Sequence, residues 1–296
     1  FARIENELGV RLLAALDRKE AASPTAPPPD IPPKTSDPGV VTPTTGPTDI
    51  FAIETFRTAL VQANPGLNDW EIECERNDQQ VLFRVTVRSR NLTTLDPLKT
   101  LAAGLEELII PNNQSSSLAP LAALTRLRRL DLTQSAAADL APIKDLKLES
   151  LLLGGSRVKD LSCLRGMPLK ELDISSTRIF NFDFLRSLAL TRLNVADTQF
   201  ADFGALRDMP LRDLNVSQTK VFDFLTIRRF QQLNVFHAAA TPFKDASLLN
   251  DLPIAEVNLA NTKLSDLAPF RRSSIQNLNI TGTLVKDLAP LKETKG

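Results

Sequence analysis

From about residue 81 onward, apolar residues return at a nearly fixed interval. With one apolar position per unit as the anchor, the series is Val85, Leu108, Leu130, Leu151, Leu172, Leu193, Leu214, Leu233, Val257 and Leu278, in steps of 23, 22, 21, 21, 21, 21, 19, 24 and 21. In the clearest unit Leu193 and Val195 are followed by Thr198, Phe200, Asp202, Phe203 and Leu206. The same offsets give Leu172, Ile174, Thr177, Ile179, Asn181, Phe182 and Leu185 one unit earlier, and Leu214, Val216, Thr219, Val221, Asp223 and Phe224 one unit later. Alternation around the anchor predicts a short strand whose alternate side chains point inward. One such unit cannot bury its apolar residues alone, so the pattern predicts a solenoid of stacked coils, their strands parallel and about 4.8 Å apart.

The period of 21, the string L-x-x-L-x-L-x-x-T-x-V-x-D-L, and the D-L-x-P-L strings at Asp266–Phe270 (ending in Phe) and Asp287–Leu291 carry a resemblance. Over about residues 81–292 the chain resembles the bacterial leucine-rich-repeat family, including internalin-like arrays. The resemblance implies an α/β leucine-rich-repeat solenoid, a right-handed coil with a parallel β-sheet on its concave face. It also implies a non-catalytic recognition module for a protein partner. Thr177, Thr198, Thr219, Thr262 and Thr283, with Ser135 and Ser156, stand where the family usually has Asn. Such an inward hydroxyl is expected to satisfy backbone groups where the chain leaves the strand. The array is also similar to those in large multidomain proteins of planctomycete-like bacteria, some of which carry serine/threonine kinases. No glycine-rich phosphate loop or H-R-D string is present here.

Ahead of the repeats the pattern changes twice. Ile4, Leu8, Leu12, Leu13 and Leu16 predict an amphipathic helix or stalk in residues 1–22. Residues 23–49 carry nine prolines among Thr, Ser and Asp and predict an extended, polyproline-like linker. Its length and composition suit an extracytoplasmic arm. Ile50, Ile53, Phe56, Leu60 and Val61 then form a helical face ended by Asn64-Pro65-Gly66. Alternation at Trp70, Ile72 and Cys74, and again at Val81, Phe83, Val85 and Val87, predicts a hairpin. Residues 50–88 therefore read as an N-terminal helix–hairpin cap, with repeats over 89–296.

Composition narrows the function classes. Lys+Arg 35 balances Asp+Glu 35, which lacks the charge footprint of a nucleic-acid binder. The two cysteines, Cys74 and Cys163, have no zinc or disulfide-framework spacing. No apolar run approaches the roughly 20 residues that cross a bilayer, so no membrane insertion is expected. A chain opening on Phe1 without a signal-peptide pattern reads as a piece of a longer protein. The sequence suggests no cofactor, and with His237 as the single histidine no Ser-His-Asp or multi-His constellation can form.

The candidate chemistry is therefore that of a surface. The aspartates at 139, 160, 202, 223, 245, 266 and 287, with Asn181, recur at one offset. Turn capping explains them better than calcium binding, because the glycine-rich loops of calcium solenoids are missing. Asn194, Asn215, Asn234, Asn258 and Asn279 follow the anchors and predict an amide ladder on the sheet. The unit at 230–253 breaks the spacing, with about three extra residues before Thr241, and this marks Phe236 and His237 as a partner-binding loop. Arg192 is a candidate cation on the concave face beside Asn215 and Asn234. Phe180 and Phe222, with Ala201 between them, form a second candidate on the side loop, either an exposed stripe or residues packed on neighbouring loops. The final coil ends on Lys-Glu-Thr-Lys-Gly, too little to cover its apolar face, so end-to-end self-association or further repeats is expected. The alternative to recognition is a structural spacer or adhesin-type arm of a larger receptor or kinase-like protein.

Overall fold

The computed structural model describes residues 50–271 and 273–294; the predicted helix in 1–22 and the linker 23–49 lie outside them. The described residues open with helix α1 (Ile50–Ala63) and an antiparallel hairpin, β1 (Ile72–Arg76) and β2 (Leu82–Val87). From β2 each new strand adds in parallel to the one before. The series runs from β3 (Glu107–Ile109) to β11 (Asn277–Asn279), an 11-stranded sheet in strict sequence order among the described residues. Each later strand is three residues long and is followed by a side loop and a short 3-10 turn.

Inward positions of all coils but the last merge into one core. The strand register aligns Val85, Leu108, Leu130, Leu151, Leu172, Leu193, Leu214, Phe236, Val257 and Leu278. This corrects the anchor chosen in the eighth unit. Leu233-Asn234-Val235 repeats the letters of Leu193-Asn194-Val195 and Leu214-Asn215-Val216, yet Leu233 lies three positions before the strand centre, aligned with Leu190 and Leu211. The steps around Phe236 become 22 and 21, so the expected three-residue insertion before Thr241 does not exist. The single extra residue lies before the strand, on the segment holding the 3-10 turn Leu225–Arg229.

Four residues beyond each centre from Leu108 on, the backbone is left-handed. Asn112, Gln134, Gly155, Ser176, Asp197, Gln218, Ala240, Asn261 and Gly282 all have φ between 53° and 70°. The N–H of each donates across to the next coil where one follows, as from Ser176 to the Ala196 carbonyl at 2.8 Å and from Ala240 to the Ala260 carbonyl at 2.8 Å. This column makes the sharp exit from the strand and prolongs the backbone ladder past it.

The inward hydroxyl stands one position later. Thr177, Thr198, Thr219, Thr241, Thr262 and Thr283 each donate to the carbonyl three residues back, at 2.5–2.8 Å. Asn113 holds the same place in the β3 coil and donates to Ile110 at 2.7 Å. The hydroxyl oxygens of Ser135 and Ser156 are buried without a partner. At the N-terminal end, buried Asn64 ties α1 to the first coil: its Oδ1 accepts from the N–H groups of Thr93 and Thr94, both at 2.7 Å.

Candidate partner-binding faces

Two surfaces follow from this frame: the solvent face of the sheet, and the side loops that leave it. On the sheet, residues flanking the strand centres are polar and largely paired with one another. Arg84 bridges Glu75 and Glu107 at 2.9 and 2.8 Å. Glu171 accepts from Ser150 at 2.6 Å and pairs with Arg192 at 2.9 Å. Burial disfavours the Glu171 carboxylate, but hydrogen bonds from Ser150 and Arg192 outweigh it and hold its pKa below the ordinary range. His237 Nε2 lies 2.9 Å from Glu256. Asp213 lies among Arg192, Glu171, His237 and Glu256, and burial pushes its carboxyl upward. Asp173 is raised by burial too, against hydrogen bonds from Ser175 and Asn194.

The expected amide ladder is mostly something else. Asn194, Asn215, Asn258 and Asn279 each accept from the backbone N–H two residues on, at 3.0–3.1 Å, fixing the bend out of the strand. Only Asn194 among these reaches across strands, donating to Asp173 at 3.1 Å. Asn234 is not in the column: it precedes β9 (Val235–His237) and donates to the Pro253 carbonyl at 2.9 Å. His237 takes the place that the ladder assigned to it. Phe236 is fully buried and aligned between Leu214 and Val257. It is a core residue, packed edge-to-face on Phe243 at 5.9 Å, and not a surface contact as expected. The aromatic–histidine pair is thus divided by alternation, one ring inward and the other outward.

The aspartate column caps. Asp139, Asp160, Asp202, Asp223, Asp245, Asp266 and Asp287, with Asn181, each accept from the backbone N–H two residues on, at 2.7–3.0 Å, where the 3-10 turn begins. One of these, Asp202-Phe203-Gly204, spells the D-F-G string of kinases. Here Asp202 caps Gly204 at 2.7 Å and Phe203 is buried, so the string is one coil of the repeat.

The side loop resolves the open choice about Phe180 and Phe222. They are 77% and 79% exposed, against 1% for the neighbouring inward Phe200. They stand eight residues after their strand centres, and Ala201 fills the same place in the coil between. The column extends beyond what the sequence reading singled out, to Lys159 below and Lys244 above, both exposed. Lys244 was hidden by the displaced anchor; Lys159 was legible from the interval of 21.

No protein-family model matches the chain, and no curated protein matches it in sequence. Solved structures are similar in fold. An internalin from Listeria monocytogenes is 15% identical, with 84% of this chain and 95% of that one covered and a TM-score of 0.46. Internalin C2 from the same organism is 19% identical over 78% and 92%, with a TM-score of 0.49. A plant ice-binding protein is 15% identical over 81% and 97%, with a TM-score of 0.53. With one short parallel strand per coil, a centre-to-centre interval of 21–23 and an inward polar column bonded to the strand's exit, the chain is a leucine-rich-repeat solenoid.

Proposed function

We propose that this chain is a non-catalytic recognition module that binds a protein partner, with the proline-rich segment 23–49 as its tether. The observation that carries this reading is the pair Phe180 and Phe222, held in solvent on a frame that has no structural use for them. Exposed aromatics on a rigid scaffold provide contact area at little ordering cost. The sheet face supports the reading less directly. Arg192, His237 and the asparagines are already engaged within the array, so a partner there must displace existing pairs. Among the described residues no group of three or more His, Cys, Asp or Glu is placed to hold a metal, and no helix is long and apolar enough to cross a membrane.

The test is panning of a displayed protein-fragment library against the purified chain. The reading expects saturable binders that lose affinity on substitution of one face, with the thermal midpoint unchanged. A library that yields none would favour the spacer alternative.

The open last coil supports a second proposal, end-to-end contact between copies. Leu278 and Ile280 are only partly covered, and Leu284 and Leu288 are 60% and 57% exposed, although the counterparts of Leu278, Ile280 and Leu288 in the preceding coil are buried. Sedimentation velocity across a hundredfold concentration range tests it. A rising sedimentation coefficient, abolished by Leu288→Lys, is expected; a constant value in the wild type contradicts it.

A further inference from the structure

The exposed Phe pair lies in an ordered field of charge. Read up the column eight residues past the strand centres, the solenoid presents Lys159, Phe180, Ala201, Phe222 and Lys244, an apolar strip with a lysine at each end. Two positions earlier runs a second exposed column, with Arg178 and Lys220 beside the two rings. None of these four cations makes a side-chain hydrogen bond or ion pair among the described residues, whereas Arg84, Lys170 and Arg192 on the sheet side are all paired. Neither feature is explained by the fold. The coils are already closed by their inward positions, and these four cations form no ion pair among the described residues, although Asp160 and Asp245 follow Lys159 and Lys244 in sequence.

We propose that this lateral strip docks an extended, acidic segment of a partner protein, one that carries apolar side chains between acidic residues. The inference rests on the recognition-module reading above and names its partner by chemistry. Coils stack about 4.8 Å apart, so Phe180 and Phe222 stand about 10 Å apart over a floor made by Ala201, and Lys159 and Lys244 about 19 Å apart. A peptide extended as a polyproline-II helix advances about 3.1 Å per residue with three residues per turn, so side chains three apart share one face. Its apolar side chains would therefore fall about three residues apart and its terminal acids about six. The central pair would be removed from water against the rings, while the lysines and Arg178 and Lys220 draw in the acids and set direction and register. An anionic membrane fits less well. Asp160, Asp202, Asp223 and Asp245 adjoin the strip one residue further on, so the field alternates in sign: the separated acids of a peptide can be placed on the cations between these carboxylates, whereas a uniformly negative surface meets the carboxylates as well.

The test is selection from a random twelve-residue peptide library displayed on phage, using the whole chain as bait. Enriched peptides would be synthesised and titrated by fluorescence anisotropy against wild type, Phe180→Ser with Phe222→Ser, Lys159→Glu with Lys244→Glu, and Arg192→Ala. All four proteins would first be matched in thermal midpoint. The expected peptides are acidic with interspersed apolar residues. They should lose at least tenfold in affinity for the serine and glutamate variants, keep it for Arg192→Ala, and weaken with added salt. Peptides that bind the serine variant as well as wild type, or that fail only with Arg192→Ala, would overturn the lateral assignment while leaving a recognition module on the sheet face. A library that yields no saturable peptide overturns the present inference; the fragment panning above then decides the broader reading separately. Phe-dependent flotation with vesicles of phosphatidylserine and phosphatidylcholine, in the absence of any peptide preference, would assign the strip to a membrane and also overturn it.

Discussion

At the scale of single residues, the repeat is held by a few polar atoms whose partners are fixed by the bend after each strand. Thr198 is the clearest case. It donates to the Val195 carbonyl at 2.6 Å, and its Oγ1 accepts from Phe200 N–H at 3.3 Å, in a site 3% exposed. Thr198→Val keeps the volume and leaves both backbone groups unpaired, so it should cost about 1–3 kcal/mol in urea titration. Ser156 stands in the same column with its hydroxyl oxygen unpartnered, and Ser156→Ala should be close to neutral. Equal losses would show that the column acts through packing alone. The left-handed column allows a test of opposite sign. Ala240 carries a Cβ at φ 54°, and Ala240→Gly should raise stability by up to about 1 kcal/mol, the strain relieved exceeding the added freedom of the unfolded chain. Asp213 adds a pH dependence. Burial raises its folded pKa, so its proton is held more tightly folded than unfolded. That contribution to stability is complete below the ordinary aspartate value, about 3.9, and is lost as pH rises through the raised value. Asp213→Asn should therefore match wild type near pH 3 and melt higher at pH 7. A variant less stable at pH 7 would show that the charge is favourable where it stands.

At the scale of elements, each coil is a strand, a left-handed exit, a capped side turn and a return, and it is stable because the next coil covers it. Much of this was legible in the sequence, because the period is a property of the inward residues and these are apolar in nearly every unit. The Asp-to-turn caps were legible for the same reason: the letter recurs at a fixed distance from the strand. The eighth unit was not legible, and the reason is physical. Phe236 meets the inward requirement that Leu214 and Val257 meet, while the string Leu233-Asn234-Val235 reproduces a strand's letters three residues too early. Only the pairing of Asp213 with Val235 and Asn215 with His237 decides between them. Asn64 was similarly hidden: a turn residue by letter, it is buried and binds the first coil. The last coil lacks a cover among the described residues. Among the described residues its Ile280 and Gly282 N–H groups donate to no backbone carbonyl, although their counterparts Leu259 and Asn261 donate to Asn279 and Thr281. Amide exchange in a dilute sample should be fastest among strand-exit residues at Ile280 and Gly282. Protection there equal to that at Leu259 would mean the edge is already covered.

At the scale of the molecule, the proposed function separates stability from recognition. Inward columns carry the core, the sheet face is knitted together by its own ion pairs and asparagine bends, and the side loops are free to vary. On that division Phe180 and Phe222 matter to a partner and not to the fold. The sequence singled them out but left their direction open, because alternation in a loop is weaker evidence than alternation in a strand. Of their lysine neighbours, Lys159 was legible from the interval of 21, whereas Lys244 emerges only when the coils are aligned by structure. Hydrogen exchange on the chain saturated with a library-selected peptide tests this central claim most directly. The account predicts slowed exchange confined to the side-loop amides around 179–183 and 221–225, with the strands β9 (Val235–His237) and β10 (Glu256–Asn258) unchanged. Protection on those strands with the side loops unaffected would contradict it.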